Sequence, residues 1–141
     1  MCNKKDNKIL MVKEANKSCY GQWNYPAGHL EEFEKIMDGA IRKTFEETGC
    51  KVRLIGVLPI ANIDLEKETH ILIRFMAEIL EEHIKFDKEE ILDVKWIPIE
   101  DIKKMKKEEL RGYEIGIKTI NDIENNKIYS LDIFDNSKYN S

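Results

Sequence analysis

The sequence predicts an α/β (α+β) domain in which a mixed sheet is flanked by helices, and three observations support that reading. Apolar runs of strand length at residues 9–12, 51–63, 69–80 and 94–99 are interleaved with helical spacing over 35–48 and 113–124. The two kinds of segment do not alternate strictly, which argues against a doubly wound parallel sheet. The 141 residues contain no repeat, low-complexity tract or Pro/Gly-rich linker, so 1–141 reads as a single domain with one core.

Residues 9–12 (Ile-Leu-Met-Val) form a short apolar strand. The aromatic stretch 19–25 leads into Pro26-Ala27-Gly28, a turn signal. The helix over 35–48 stops at Gly49. Residues 51–63 read as one strand with Pro59 near its middle, which suggests an edge position or a bulge. Residues 69–80 read as a second long strand, with Ile71, Ile73, Phe75, Ala77 and Ile79 on one face and His70, Leu72, Arg74 and Met76 on the other. A strand at 94–99, a helical turn at 101–107 and a helix at 113–124 follow. In that last helix Tyr113, Gly116, Ile117, Ile120 and Ile123 recur at helical spacing. The tail 128–134 is expected to pack back as a strand or an irregular lid. At the other end, residues 3–8 read as a hairpin loop, so the strand before it is expected to be truncated. Either the true start lies upstream or a sheet edge is left open to pair with another chain.

Charge narrows the function classes. Lys and Arg total 23, Asp and Glu 27, and the formal net charge is −4. The signs are mixed along the chain with no basic stripe, which argues against a nucleic-acid polymer as partner. Phosphate binding through a metal remains open to a mildly acidic protein. Cys2, Cys19 and Cys50 form no C-x-x-C, which argues against a disulfide framework or a zinc site and fits a reducing, cytoplasmic setting. The longest apolar run, near 71–80, is broken by Arg74 and Glu78, so no membrane span is expected. The first residues lack the apolar stretch of a signal peptide.

The helix over 35–48 carries charges in unfavourable places. At about 100° per residue, Met37, Ala40, Ile41, Thr44, Phe45 and Thr48 form the core stripe. Arg42, Lys43, Glu46 and Glu47 fall opposite. Glu46 and Glu47 occupy the last turn, where the helix dipole penalises each carboxylate by about 0.3–1 kcal/mol. The pairs Arg42–Glu46 and Lys43–Glu47 help, but with the acid on the less favourable side. Adjacent acids at a helix C-terminus are read either as a solvated face or as oxygen ligands for a hard cation such as Mg²⁺ or Mn²⁺.

The spacing to the preceding loop favours the cation. Gly28, Glu34, Arg42, Glu46, Glu47 and Gly49 fill six of the seven fixed positions of a G-x5-E-x7-R-E-U-x-E-E-x-G-U pattern, where U is a bulky apolar residue. This stretch resembles the box of the Nudix (MutT-like) hydrolases, and Trp23 to Glu31 is similar to its W-x-x-P-x-G lead-in. Pro26-Ala27-Gly28-His29-Leu30-Glu31 looks like one branch of bacterial Nudix phosphatases. Ile73-Arg74-Phe75, residues 94–98, Leu110-Arg111 and residues 129–132 resemble that branch more loosely.

The resemblance implies an α/β/α sandwich with a mixed central sheet, and Mg²⁺- or Mn²⁺-dependent hydrolysis of a diphosphate bond. It implies a nucleoside di- or triphosphate, a related nucleotide or a thiamin-pathway pyrophosphate as substrate. Glu46, Glu47 and the backbone of Gly28 would hold metal, Arg42 would orient a glutamate, and Glu34 would pin the loop to the helix.

Lys43 departs from the pattern, standing where the box has a glutamate. A charged lysine cannot ligate metal, but it can supply positive charge to a phosphate. Weaker metal binding than in a complete box is therefore expected. Outside the helix, Arg74 and His29 are candidates for contact with substrate, and Glu89 or Glu90 for a further ligand. Trp23 and Cys50 are expected to pack in the core. The expected partner is a small phosphorylated molecule, met by a monomer or homodimer. The alternative to a hydrolase is a degenerate domain that binds such a ligand without efficient turnover.

Overall fold

The computed structural model describes residues 2–3, 7–65 and 67–136. In chain order it contains β1 (Cys2–Asn3), β2 (Lys8–Glu14), β3 (Trp23–Asn24), α1 (Ile36–Thr48), β4 (Lys51–Val57), β5 (Ala61–Leu65), β6 (Glu68–Leu72), β7 (Phe75–Glu81), β8 (Ile91–Pro98), α2 (Ile99–Lys103) and α3 (Tyr113–Glu124). Short 3-10 turns lie at Lys17–Cys19 and Leu131–Ile133. The helices at 36–48 and 113–124 and a strand containing Ile9 to Val12 match the expectations from sequence. Of the expected hairpin loop at 3–8, residues 4–6 lie outside the described residues, and Asn3 and Lys8 are paired strand residues.

β2 organises the largest sheet. It pairs antiparallel with β1, β3 and β8, with Ile9 opposite Ile97 and Val12 opposite Val94. Its run Ile9-Leu10-Met11-Val12 is fully buried, as a strand covered on both faces requires. Alternation divides that run between two cores. Ile9 and Met11 pack with Ile97, Ile99, Ile102, Leu110 and Ile120, so α2 and α3 cover one face. Leu10 and Val12 pack with Cys50, Ile91 and Val94 on the other. β4 and β7 form an antiparallel ribbon, and Met37, Ala40 and Ile41 of α1 lie against its Val52, Leu54 and Ala77. β5 and β6 form a separate hairpin. A parallel bridge between Trp23 and Leu110 adds to the otherwise antiparallel pairing among the described residues. Trp23 packs against the first core and Cys50 is buried. The tail packs back as expected, with Tyr129 bridged to Val57. Among the described residues no helix is long and apolar enough to cross a membrane.

Three expectations require correction. The strand over 51–63 is two strands, broken around Pro59, and the strand over 69–80 is likewise broken at Ile73-Arg74. Phe45, placed on the core stripe, is half exposed. The breaks share a cause. Leu58 N–H donates to the Arg74 carbonyl at 2.9 Å. The Arg74 side chain turns inward: Nη2 donates to the Pro59 carbonyl at 2.6 Å and Nη1 to Thr119 Oγ1 at 3.0 Å. Nη1 also lies 3.0 Å from Asp122 Oδ2, with the two side chains 9% and 2% exposed. Arg74 therefore ties both break points to α3. It braces the fold, and its guanidinium, expected from sequence to contact substrate, is engaged with Asp122, Thr119 and the Pro59 carbonyl.

Gly49 ends α1 in the left-handed conformation, at φ 79°, with its N–H donating to the Phe45 carbonyl. A Cβ there would lie 2.1 Å from the His83 carbonyl oxygen. Two substitutions test these constraints. Arg74→Ala leaves buried Asp122 with Lys118 as its remaining ionic partner, and is expected to cost roughly 3 kcal/mol. Gly49→Ala combines left-handed strain with a backbone clash and should cost at least about 2 kcal/mol. Both appear as lower urea midpoints at unchanged m.

Candidate active site

The site is built around Arg42, on the outer face of α1. Its Nε and Nη2 donate to Glu34 Oε2 and Oε1 at 2.7 and 2.9 Å, a bidentate fork. Its Nη1 donates to both oxygens of Glu46, at 3.0 and 3.1 Å. Nη2 also reaches the His29 carbonyl at 3.1 Å. One guanidinium thus fastens the 29–34 loop to the helix and fixes a carboxylate one turn further on. The electrostatics follow. The Arg42 hydrogen bonds, helped by the Glu31 N–H, hold the Glu34 carboxyl at about 2. Arg42 likewise holds Glu46 below the usual carboxylate range, with a smaller contribution from Lys43. In return, Glu34 and Glu46 raise the pKa of Arg42 further.

Glu47 differs from its neighbour and from expectation. It was expected on the solvent side with Arg42, yet it is 9% exposed. It lies two turns from Ala40, on the edge of the packed stripe, where the 24–28 segment covers it. Its Oε1 accepts the Ala27 N–H at 2.8 Å. Burial pushes its carboxyl up to about 7, against the pull of the Ala27 N–H and Lys43, and Glu14 and Glu90 add repulsion. Glu90, a candidate from the sequence, is thus within electrostatic reach of Glu47.

Glu14 was missed. It is 7% exposed, and its Oε1 accepts from Asn24 Nδ2 at 3.2 Å and from Arg111 Nη1 at 3.4 Å. The available signal was a carboxylate two residues beyond the apolar run Ile9 to Val12.

Lys43 was expected to face Glu47. Its Nζ instead lies 3.5 Å from Glu46 Oε2, and it acts on Glu47 only through space. Its aliphatic stem lies over Gly28, where a Cβ would stand 2.1 Å from Lys43 Cε. A side chain at Gly28 would have to displace the Lys43 stem. His29 is exposed on the same loop, and its ring meets that of His70 edge-on at 6.4 Å.

The donor chemistry here suits a hard divalent cation. Two carboxylates and a backbone carbonyl are oxygen ligands, and desolvated Glu47 gains from a neighbouring positive charge. The set is sparse, because among the described residues no three His, Cys, Asp or Glu side chains gather as a metal-holding group.

Comparison with known proteins places this geometry. The NUDIX domain family model matches residues 1–118. The chain is 36% identical over 104 residues to Nudix hydrolase 6 of Arabidopsis thaliana, covering 70% of this chain and 37% of that protein. It is 44% identical over 50 residues to the 8-oxo-dGDP phosphatase NUDT18 of Danio rerio, covering 36% of this chain and 15% of that protein. The chain therefore spans well under half the length of these curated relatives. A solved NUDIX hydrolase from Nitrosomonas europaea superposes with a TM-score of 0.84 at 27% identity, covering 94% of this chain and 90% of that one. The box, the fold and the family match agree, and the chain belongs to the Nudix family.

Proposed function

We propose that this protein is a Mg²⁺- or Mn²⁺-dependent Nudix hydrolase that cleaves the diphosphate bond of a nucleoside di- or triphosphate, a related nucleotide or a thiamin-pathway pyrophosphate. The observation that carries this reading is the pair of adjacent acids held in different states: Glu46 gripped by Arg42, and Glu47 buried against the Ala27 N–H. The 8-oxo-dGDP phosphatase activity in the name of a relative supports a nucleotide substrate.

Glu46, Glu47 and the Gly28 backbone are the proposed holders of the ion. When bound, the ion would supply charge neutralisation at the phosphoryl oxygens and an acidified water. The chain's own groups do the rest. Arg42 keeps Glu46 ionised and aimed. Glu47, buried and fixed by the Ala27 N–H, is suited to orient the attacking water. Lys43 and exposed His29 are placed to meet phosphate oxygens as donors. The protein is proposed to act in the cytoplasm, as a monomer or homodimer, on small molecules.

One observation favours a second reading, a domain that binds a phosphorylated ligand without efficient turnover. The Lys43 ammonium lies 3.5 Å from Glu46 and competes for the same carboxylate. An activity panel separates the two. Purified protein is incubated with nucleoside di- and triphosphates, dinucleotides, sugar nucleotides and pyrimidine pyrophosphates, with and without Mg²⁺ or Mn²⁺. Metal-dependent turnover is expected, lost by at least about 100-fold in Glu47→Gln and raised in Lys43→Glu. Turnover confined to Lys43→Glu would establish the binding domain.

Stability against pH gives an independent check, since the two carboxylates act with opposite sign. Glu34, lowered to about 2 from 4.5, contributes stability that is complete above about 4.5 and lost as pH falls towards 2. Glu47, raised to about 7 from 4.5, costs stability increasingly as pH rises through that interval. The metal-free protein should therefore melt highest near pH 5 and lower near both pH 3 and pH 8. At pH 8 the Glu47→Gln variant should melt above wild type without metal, and should gain less from added Mg²⁺. Thermal melts in chelator and in Mg²⁺ measure both effects.

A further inference from the structure

Arg111 stands at the edge of this site without an assigned role. Its backbone is fixed, because its N–H donates to the Trp23 carbonyl at 2.9 Å and the Trp23 N–H donates to the Glu109 carbonyl at 2.8 Å. Its side chain reaches Glu14 through Nη1 alone, at a long 3.4 Å. Among the described residues its other guanidinium donors have no partner, and 46% of the side chain is exposed. Glu14 is the opposite case, a carboxylate buried at the end of β2. It is held by Asn24 at 3.2 Å, three residues before the Ala27 N–H that binds Glu47. The segment from Trp23 to Ala27 therefore carries the carbonyl that anchors Arg111, the amide that anchors Glu14 and the N–H that anchors Glu47. Five consecutive residues extended to the limit span no more than about 17 Å, so Arg111 and the two buried acids share one neighbourhood.

A cation that only neutralised Glu14 would be expected to close on it with a short, two-pronged contact, as Arg42 does on Glu34. Arg111 makes one long contact and leaves a planar set of donors turned to solvent. Glu14 sets where the guanidinium lies while leaving most of its donors free for an incoming anion. We propose that Arg111, oriented by Glu14, is a phosphate-anchoring residue for the phosphorylated substrate. This rests on the reading of the site given above. Its role is binding and orientation, and it takes no part in proton transfer.

The test is direct binding of a nucleoside diphosphate whose phosphorus atoms are joined by a methylene bridge, which cannot be hydrolysed there. Calorimetry is run with Mg²⁺ on wild type, Arg111→Ala, Arg111→Lys and Glu14→Gln, with thermal melts on the same samples. Arg111→Ala is expected to weaken binding at least tenfold, the scale of a lost charge-assisted phosphate contact, and to flatten the salt dependence of binding. Arg111→Lys should retain part of the affinity as a point charge. Glu14→Gln should weaken binding less than Arg111→Ala, because the amide oxygen still accepts from Arg111. If Arg111→Ala and Arg111→Lys melt lower yet bind within twofold of wild type, Arg111 is only a brace for Glu14 and the proposal fails. Failure of wild type to bind the analogue would also overturn it. Tight, Arg111-dependent binding without hydrolysis of any substrate in the panel would uphold this inference and sink the hydrolase reading alone.

Discussion

The fork between Arg42 and Glu34 is the contact on which the rest of the site depends. A box loop has few apolar groups to bury, so packing alone holds it weakly, and its backbone must be tied by polar contacts instead. Arg42 supplies these by spending its donors on Glu34, on the His29 carbonyl and on Glu46. The loop and the last turn of α1 are thereby joined through one planar group. At Gly28 the absence of a side chain leaves room for the Lys43 stem to lie across the loop.

Beneath that surface network the chain buries charge. Glu47 and Glu14 are both less than a tenth exposed, lie within electrostatic reach of each other, and have few hydrogen bonds between them. Two carboxylates in such a setting are costly unless protonated or met by a cation. Lys43, Arg111 and the proposed divalent ion are the available sources of positive charge. Lys43 therefore has two effects. It lowers the cost of Glu46 and Glu47 through its charge on both, and on the proposed reading it would compete with a metal ion for Glu46.

The scaffold places these groups by ordinary packing. α1 lies on the β4–β7 ribbon, α2 and α3 cover the opposite face of β2, and Arg74 joins the strand breaks to α3. A buried arginine with paired partners fixes geometry at some cost in desolvation. Here it sets where two apolar runs stop being strands, and so frees the β5–β6 hairpin that brings His70 to His29.

The sequence by itself determined the α+β class, α1 and its stop at Gly49, α3, and the apolar run of β2 as a strand. It also identified the box through the spacing of Gly28, Glu34, Arg42, Glu46, Glu47 and Gly49. These were legible because helical periodicity, apolar runs and glycine chemistry act between residues close in the chain. Tertiary structure decided the matters that depend on distant groups. Pro59 and Arg74 broke two apparent strands because α3, some 45 residues on, supplies Thr119 and Asp122 as partners. Glu47 lies two turns from Ala40 at the edge of the packed stripe, and it was buried because the segment before the box covers that edge. Glu14 and Arg111 entered the neighbourhood of Glu47 from 33 and 64 residues away in the chain. Local periodicity specifies which face a residue occupies. Which elements cover that face depends on packing across the whole chain.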